Sequence, residues 1–205
     1  MVTGYRVSPG SYQARIDVLP DLTTLGKFLG GGLAAGAVCG RAELFENARP
    51  DVDIRPDERV IAGGGTFSAN PMTAATGLAS LDILEREPVW EHIESGAKRI
   101  REGLAAIFED RGIDAEVLGE SSMFLSHFQP EAPLEDARAI KEGTNREALF
   151  AFRRRLHDHG FYVLPATLSR VSYQMTDEHL DGFVEAADEV VADLQAEGRL
   201  EDRSR

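Results

Sequence analysis

Cysteine is almost absent from this chain. Its 205 residues include one cysteine, Cys39, which cannot form a disulfide within the chain or, alone, a thiolate metal site. A small secreted domain held together by disulfides is therefore excluded. The N-terminus also lacks the basic stretch, apolar core and cleavage site of a signal peptide. We therefore expect a protein of the reducing cytoplasm.

Positive charge is scarce, and lysine especially so. The chain has 22 Lys and Arg against 35 Asp and Glu, a formal net charge of -13, and its lysines are Lys27, Lys98 and Lys141. Because such a surface repels phosphate backbones and anionic membranes, neither is an expected partner. An acidic, lysine-poor composition is typical of proteins that work in concentrated salt, and a high-GC coding bias toward arginine predicts it equally well.

The sequence also has no long hydrophobic run. Its most apolar segment, residues 28–39, is twelve residues long and contains four glycines, whereas a helix needs ~18 apolar residues to cross a bilayer. Hydrophobic residues still make up 42% of the chain, which is enough for one sizeable core or two small ones. We predict a globular protein without a membrane span.

The composition changes near residue 88, from glycine-rich before it to charged and helical after it. Before this point, Asn70 followed by Pro71 predicts the start of a helix that ends near Glu87. After it, the elements alternate as helix, strand, strand, helix, strand, strand, helix, which predicts a small α+β domain. The predicted helices begin at Trp90, Asn145 and Thr176, and the predicted strands cover residues 113–118, 123–128, 161–164 and 170–173.

Two clusters of glycine lie in the first part of the chain. One is Gly30 to Gly32, and the other is Gly63 to Gly65, which leads to Thr66. Neither fits a nucleotide-binding fingerprint. Glycines followed by a threonine just before a capped helix form either an anion cradle or an ordinary turn.

Lys27 is the residue that suggests chemistry most directly. It lies between Gly26 and an apolar segment, where we expect its ammonium to be desolvated and its amine to be available as a nucleophile toward a carbonyl. The alternative is a lysine whose stem covers apolar surface while its amine stays in water. None of the 5 histidines has partners at ligand spacing, so we expect no metal site.

Two motifs in this sequence are similar to those of a known enzyme family. Residues 20–32, PDLTTLGKFLGGG, and residues 63–71, GGGTFSANP, resemble the class III aminotransferases and, among them, the glutamate-1-semialdehyde 2,1-aminomutases. The resemblance covers nearly the whole chain. It implies an α/β fold: residues 1–87 as the C-terminal part of the large domain of a pyridoxal-phosphate enzyme of fold type I, and residues 88–205 as the small C-terminal α+β domain.

The resemblance also implies a cofactor, site residues and partners. Lys27 is then the catalytic lysine that binds pyridoxal 5'-phosphate covalently and moves a proton between substrate and cofactor. Gly65 and Thr66 are cofactor-binding residues, and Thr66 contacts the cofactor phosphate of a neighbouring subunit, which requires a homodimer. The implied substrate is a small amino acid or amino-aldehyde.

The chain departs from the family in length and at one segment. Family members are about twice as long, and their N-terminal half supplies a phosphate cup, an aromatic ring over the cofactor and an aspartate at its ring nitrogen. Residues 1–6 resemble the segment that follows this aspartate. Residues 164–169 lack the glutamate of the aminomutase motif at this place, which weakens the assignment of a substrate.

Three interpretations of a half-length chain follow from these departures. The chain is one piece of a split enzyme that a separate N-terminal half completes, or an inactive truncation, or a module that only binds a full-length relative. Whether the chain is an enzyme by itself stays open at this point.

Overall fold

The computed structural model describes residues 4–49, 51, 53–60, 65–130, 133–164 and 168–200. Several residues of the sequence prediction, namely Met1–Thr3, Gly63, Gly64 and Pro165–Thr167, lie outside these ranges. The chain divides into two compact units, Met1–Val89 and Trp90–Arg205. Within the described ranges, no helix is both long enough and apolar enough to pass through a membrane.

A hairpin and a long helix are the main elements of the first unit. The two strands of the hairpin are antiparallel, and Gly26 lies opposite Gly36 at its end. Asn70 begins the long helix as predicted, because its side chain accepts a hydrogen bond from the amide of Met72 at 2.9 Å. The elements are α1 Gly4–Val7, α2 Ser11–Arg15, β1 Leu22–Gly26, a 3-10 turn Lys27–Gly30, β2 Gly36–Gly40, a 3-10 helix Ala42–Ala48, and α3 Pro71–Arg86.

The first unit buries few apolar side chains. Of its described residues, Val7, Leu84 and Val89 are the buried hydrophobic ones. Many large apolar side chains of the same unit are exposed: Ile16, Val18, Leu19, Leu22, Phe28, Leu33, Val38, Leu44, Val60, Phe67, Met72, Leu78 and Ile83. The described part of this unit therefore has little hydrophobic core of its own.

The second unit has a well-defined core between its helices and a small sheet. Its strands pair in the order β3-β4-β5, all antiparallel. Phe128 is fully buried, and its ring packs edge-to-face on Phe108 and Phe152, with 5.3 Å between ring centroids in both pairs. The elements are α4 Val89–Asp110, β3 Ala115–Leu118, β4 Met123–Phe128, α5 Ala137–Gly143, α6 Arg146–Asp158, β5 Ser169–Arg170 and α7 Asp177–Ala196.

Asn145 joins the sheet to a helix. Its side-chain oxygen accepts a hydrogen bond from the amide of Ala148 at 3.0 Å and caps α6, while its own amide donates to the carbonyl of Phe128 at 2.9 Å. Its side-chain nitrogen donates to Gln129. One residue therefore fixes the start of α6 against the end of β4.

Most predicted elements of the second unit are confirmed. The helices begin within a residue of the predicted starts, and β3 and β4 form a hairpin. The amide of Thr176 donates to the Nδ1 atom of His179 at 3.0 Å, so the cap of α7 is closed by a histidine in place of the usual glutamate. The helix α5 was not predicted, although Asp136 caps it through the amides of Arg138 and Ala139, both at 2.8 Å.

The predicted strand at residues 161–164 is wrong. The carbonyl of Leu164 accepts a hydrogen bond from Arg153 at 2.6 Å, and the carbonyl of Val163 lies 2.9 Å from the ring of His157. Side chains of α6 therefore occupy the groups that a neighbouring strand would use. The strand predicted at residues 170–173 is limited to Ser169–Arg170, which pairs with the start of β4.

Candidate functional site

Lys27 occupies an unusual backbone position. It follows the last pair of the hairpin, Gly26 with Gly36, and opens the 3-10 turn Lys27–Gly30. Its φ angle is 55°, in the left-handed region that costs an L-residue about 1 kcal/mol. A residue keeps such a conformation only when its surroundings fix it, and positions of this kind cluster at functional sites.

The turn after Lys27 lies against α3 through two glycines. A Cβ atom at Gly31, whose φ is 57°, would lie 2.2 Å from the carbonyl oxygen of Thr76, and a Cβ atom at Gly77 would lie 2.5 Å from the carbonyl oxygen of Leu29. Both distances are shorter than any side chain tolerates. Gly31, from the first glycine cluster, and Gly77 on α3 therefore allow the close approach of backbone to backbone.

The side chain of Lys27 is exposed. The desolvation that we expected from the apolar sequence around it is absent among the described residues, because the neighbouring Phe28 and Leu33 are themselves exposed. Exposure does not distinguish Lys27 from the other lysines: Lys98 is exposed and pairs with Glu102 at 3.7 Å on α4. What distinguishes Lys27 is its backbone conformation.

Gly65 and Thr66 line an open hollow of ≈ 810 Å³ in the first unit. The hollow also takes in Ser68, the start of α3 and part of residues 29–36. The side chain of Asn70 already occupies the first amides of α3, at 2.9 and 3.4 Å. An anion in this hollow would therefore be held by the hydroxyl of Thr66 and the backbone of residues 65–69 rather than by the helix terminus.

Lys27 is not among the residues that line this hollow. Lys27 and Thr66 therefore do not share this hollow within one chain. The sequence resemblance implies that they contribute to one site across a subunit boundary. Their assignment as site residues stays a prediction.

Arg170 is a candidate that sequence reasoning missed. It lines a half-open groove of ≈ 590 Å³ in the second unit, whose walls are largely apolar and include Phe124, Phe161 and Met175. Its Nε atom is buried and has no hydrogen-bond partner in the described chain. Arg170 as a whole is half-buried, so its guanidinium is a cationic group that suits a carboxylate in this groove.

In the sequence, Arg170 begins a predicted strand, residues 170–173, and that pattern does not mark it as functional. The lack of a partner for its Nε atom among the described residues is a property of the packed structure. The departure from the aminomutase motif falls at this groove, which includes Leu164 and Leu168. The residues between them, Pro165, Ala166 and Thr167, lie outside the described ranges.

Histidines and acidic residues do not form a metal centre in the described part of the chain, where no three His, Cys, Asp or Glu side chains are grouped. His127 is 2% exposed and contacts Thr144. His157 and His159 lie at the end of α6, where His159 pairs with Glu189 at 3.3 Å. These histidines have structural partners.

Comparison with known proteins gives a consistent result. The family model for class III aminotransferases matches residues 9–191. The glutamate-1-semialdehyde 2,1-aminomutase of Archaeoglobus fulgidus is 35% identical over 191 residues, which are 92% of this chain and 43% of that protein. The enzyme of the same name from Desulfosudis oleivorans is 32% identical over 196 residues, 95% of this chain and 44% of its own length.

Solved structures resemble the chain in the same way. An omega-transaminase from Sphaerobacter thermophilus has a TM-score of 0.81 at 28% identity, covering 95% of this chain and 43% of that one. A transaminase with bound pyridoxal phosphate has a TM-score of 0.80 at 25% identity, covering 97% and 44%. The predicted fold, part of a fold type I pyridoxal-phosphate transferase, is confirmed, and the chain spans less than half the length of these relatives.

Proposed function

The chain belongs to the class III aminotransferase family, and from this premise we propose that it supplies the lysine-bearing part of a pyridoxal-phosphate-dependent aminotransferase or aminomutase. The curated relatives suggest a reaction like that of glutamate-1-semialdehyde 2,1-aminomutase. We propose that the enzyme to which this part belongs acts as a homodimer. The substrate in this proposal is a small amino acid or amino-aldehyde that carries a carboxylate.

The observation that carries this proposal is the conformation at Lys27. A primary amine is the group that can attach to the aldehyde of pyridoxal phosphate. Lys27 presents an exposed amine on a backbone with a φ of 55°, at the start of a turn packed against α3. A fixed backbone restricts where the amine can reach, which suits a residue that must meet one carbon atom.

The residues described fit the cofactor. In the proposed dimer, Lys27 holds it through the Nζ atom, and the hydroxyl of Thr66 with the backbone of Gly65 holds the phosphate in the neighbouring subunit. The hollow beside Thr66, ≈ 810 Å³, is within the range of ligand sites in proteins. Bound pyridoxal phosphate supplies an electron-withdrawing ring at the amino-bearing carbon of a substrate.

The chain's own groups have two further tasks in this proposal. The Nζ atom of Lys27 accepts a proton and returns it, because an amine near the reacting carbon is a positioned general base. Within the second unit, the guanidinium of Arg170 binds an organic carboxylate in the groove that it lines, because a guanidinium forms paired hydrogen bonds with a carboxylate. The apolar walls of this groove then contact the rest of that ligand.

A second candidate is a chain that binds a class III relative without catalysing a reaction. Exposed apolar side chains in the first unit favour it, among them Leu19 at 90%, Phe67 at 72% and Leu78 at 66% exposure. Side chains of this size drive association when they form a continuous surface. This candidate predicts binding without turnover.

Covalent trapping tests the main proposal. The chain is incubated with pyridoxal 5'-phosphate, reduced with borohydride, digested and mapped by mass spectrometry. We expect the label predominantly at Lys27, its loss in Lys27→Ala, and its retention in the matched variant Lys98→Ala. Dominant labelling of Lys98 or Lys141 would show that Lys27 is not the attachment site.

A further inference from the structure

A single hydroxyl on α3 is bonded to the turn that begins at Lys27. The Oγ1 atom of Thr76 lies 2.8 Å from the carbonyl oxygen of Gly30, and this carbonyl also accepts the amide of Leu33 at 3.1 Å. Two carbonyls within α3 are the competing acceptors, those of Met72 at 3.0 Å and Thr73 at 3.2 Å. The shortest contact is the one that leaves the helix.

This contact lies at the far end of the turn from the hairpin. The near end is fixed by the pairing of Gly26 with Gly36, and Lys27 follows directly. The far end has Gly31 in the left-handed region, packed on the backbone of Thr76. With both ends fixed, the backbone of Lys27 cannot relax from its own left-handed conformation without breaking one of the two contacts.

We propose that Thr76 is a positioning residue for Lys27, because its hydroxyl holds the Lys27–Gly30 turn on α3 and so directs the Lys27 amine toward the cofactor aldehyde. The inference rests on the proposed function of Lys27. Thr76 does not touch the reacting atoms. Its hydroxyl acts through the carbonyl of Gly30, and its methyl group is not required.

The experiment separates the hydroxyl of Thr76 from its methyl group. Thr76→Val keeps the shape and removes the hydrogen bond, and Thr76→Ser keeps the hydrogen bond. Thr24→Val makes the same change at an exposed position of β1 and serves as the matched control. Folding of every variant is checked by thermal unfolding.

Three quantities are measured on the full chain with pyridoxal 5'-phosphate. They are the rate of borohydride-trapped labelling at Lys27 relative to Lys98, the pH dependence of the absorbance of the lysine adduct, and hydrogen exchange at the amides of Gly31 and Leu33. In Thr76→Val we expect labelling of Lys27 to slow by about five- to tenfold, the factor of one net hydrogen bond, with a shifted pH profile and faster exchange.

Rescue by serine completes the test. We expect Thr76→Ser and Thr24→Val to keep the parent labelling rate and pH profile. An unchanged Lys27 rate and pH profile in folded Thr76→Val overturn this inference and leave the proposed function standing. Absence of label from Lys27 in the parent chain overturns both. If Thr76→Val does not fold, Thr76→Ser decides the question. A labelling rate in Thr76→Ser that is about five- to tenfold below the parent rate shows that the hydroxyl is not the positioning group.

Discussion

The Nδ1 atom of His127 lies 2.7 Å from the hydroxyl oxygen of Thr144. That hydroxyl donates its own hydrogen to the carbonyl of Ile140 at 3.0 Å, so its oxygen accepts from Nδ1–H and the neutral ring keeps Nε2 as its acceptor. Nε2 is buried without a partner in the described chain. Burial, and secondly the charge of Arg153, lower the pKa of His127.

Acid is therefore expected to destabilise the second unit through His127. Because the pKa of His127 is lower in the folded chain than its ordinary value of 6.5, the unfolded chain binds the proton more readily. The stability that the neutral ring of His127 contributes is fully present above the ordinary pKa of 6.5. It is lost as the pH falls from there toward the lower pKa of the folded chain. Urea unfolding between about pH 7.5 and pH 5 measures this loss.

In the variant His127→Leu we expect the free energy of unfolding to fall less as the pH is lowered. The surface variant His159→Gln is the control, and its free energy of unfolding should fall as much as that of the parent chain. A parent chain whose free energy of unfolding does not fall over this interval, or a His127→Leu variant with the same slope, would contradict the assignment.

Truncation of Phe128 is expected to cost about 3–5 kcal/mol of stability. Its ring is fully buried between Phe108 and Phe152, so Phe128→Ala leaves a cavity and removes both aromatic contacts. Phe150→Ala on α6 is the control, because that ring is 39% exposed, and we expect a loss of at most about 1 kcal/mol. Denaturant unfolding followed by circular dichroism compares them; similar losses would show that Phe128 is not central to the core.

Substitution of Arg170 is expected to weaken the binding of organic carboxylates. Arg170→Gln removes the charge from the groove, and we expect an affinity about tenfold lower for a probe such as 3-phenylpropanoate. Arg155→Gln is the control, since Arg155 pairs with Glu197 on the surface. Calorimetric titration measures both; equal affinities for the parent and Arg170→Gln would remove Arg170 from the site.

Alone, this chain is expected to bind pyridoxal 5'-phosphate weakly and to show no aminomutase or transaminase turnover. It spans 43% of the aminomutase of Archaeoglobus fulgidus, and the sequence resemblance implies that residues beyond that share contribute to cofactor affinity and activation. Spectroscopic titration and a coupled assay measure both properties. Turnover by the purified chain at the rate of a full-length relative would refute this expectation.

Self-association of the chain is expected to increase with salt. The exposed apolar side chains of the first unit favour association, whereas the net charge of -13 opposes it most strongly at low ionic strength. Salt screens the repulsion and strengthens apolar burial. Sedimentation velocity across a salt series is the measurement. Phe67→Gln, which removes an exposed ring of the first unit, should associate less than the control Tyr162→Gln, which removes an exposed ring of the second unit. A compact monomer at every salt concentration would contradict the prediction.

Local signals explain which parts of the fold could be predicted from the sequence. The start of α3 depends on Asn70 and Pro71, which are adjacent, and α4 follows from the spacing of apolar residues within one helix. The hairpin of β1 and β2 was missed because its pairing joins residues as distant as Leu22 and Gly40. In β1 exposed and half-buried positions alternate, but the residue types in its sequence, LTTLG, do not alternate with them.

The site shows the same limit. Lys27 could be predicted because its residue type and its neighbours in sequence indicate its role. Its backbone conformation could not, because it depends on the packing of the Lys27–Gly30 turn on α3. The strand predicted at residues 161–164 failed because Arg153 and His157, on another element, bind its carbonyls. Arg170 became a candidate only in the folded structure, where its Nε atom has no partner among the described residues.

The position of Asn145 has a consequence for how the second unit opens. Because its amide is bonded to the end of β4 and its side chain to the first turn of α6, fraying of that helix terminus also releases the strand. Helix ends usually exchange their amide hydrogens at almost no free-energy cost. We therefore expect the first turn of α6 and the last residue of β4 to open as one cooperative unit, with their amides protected together.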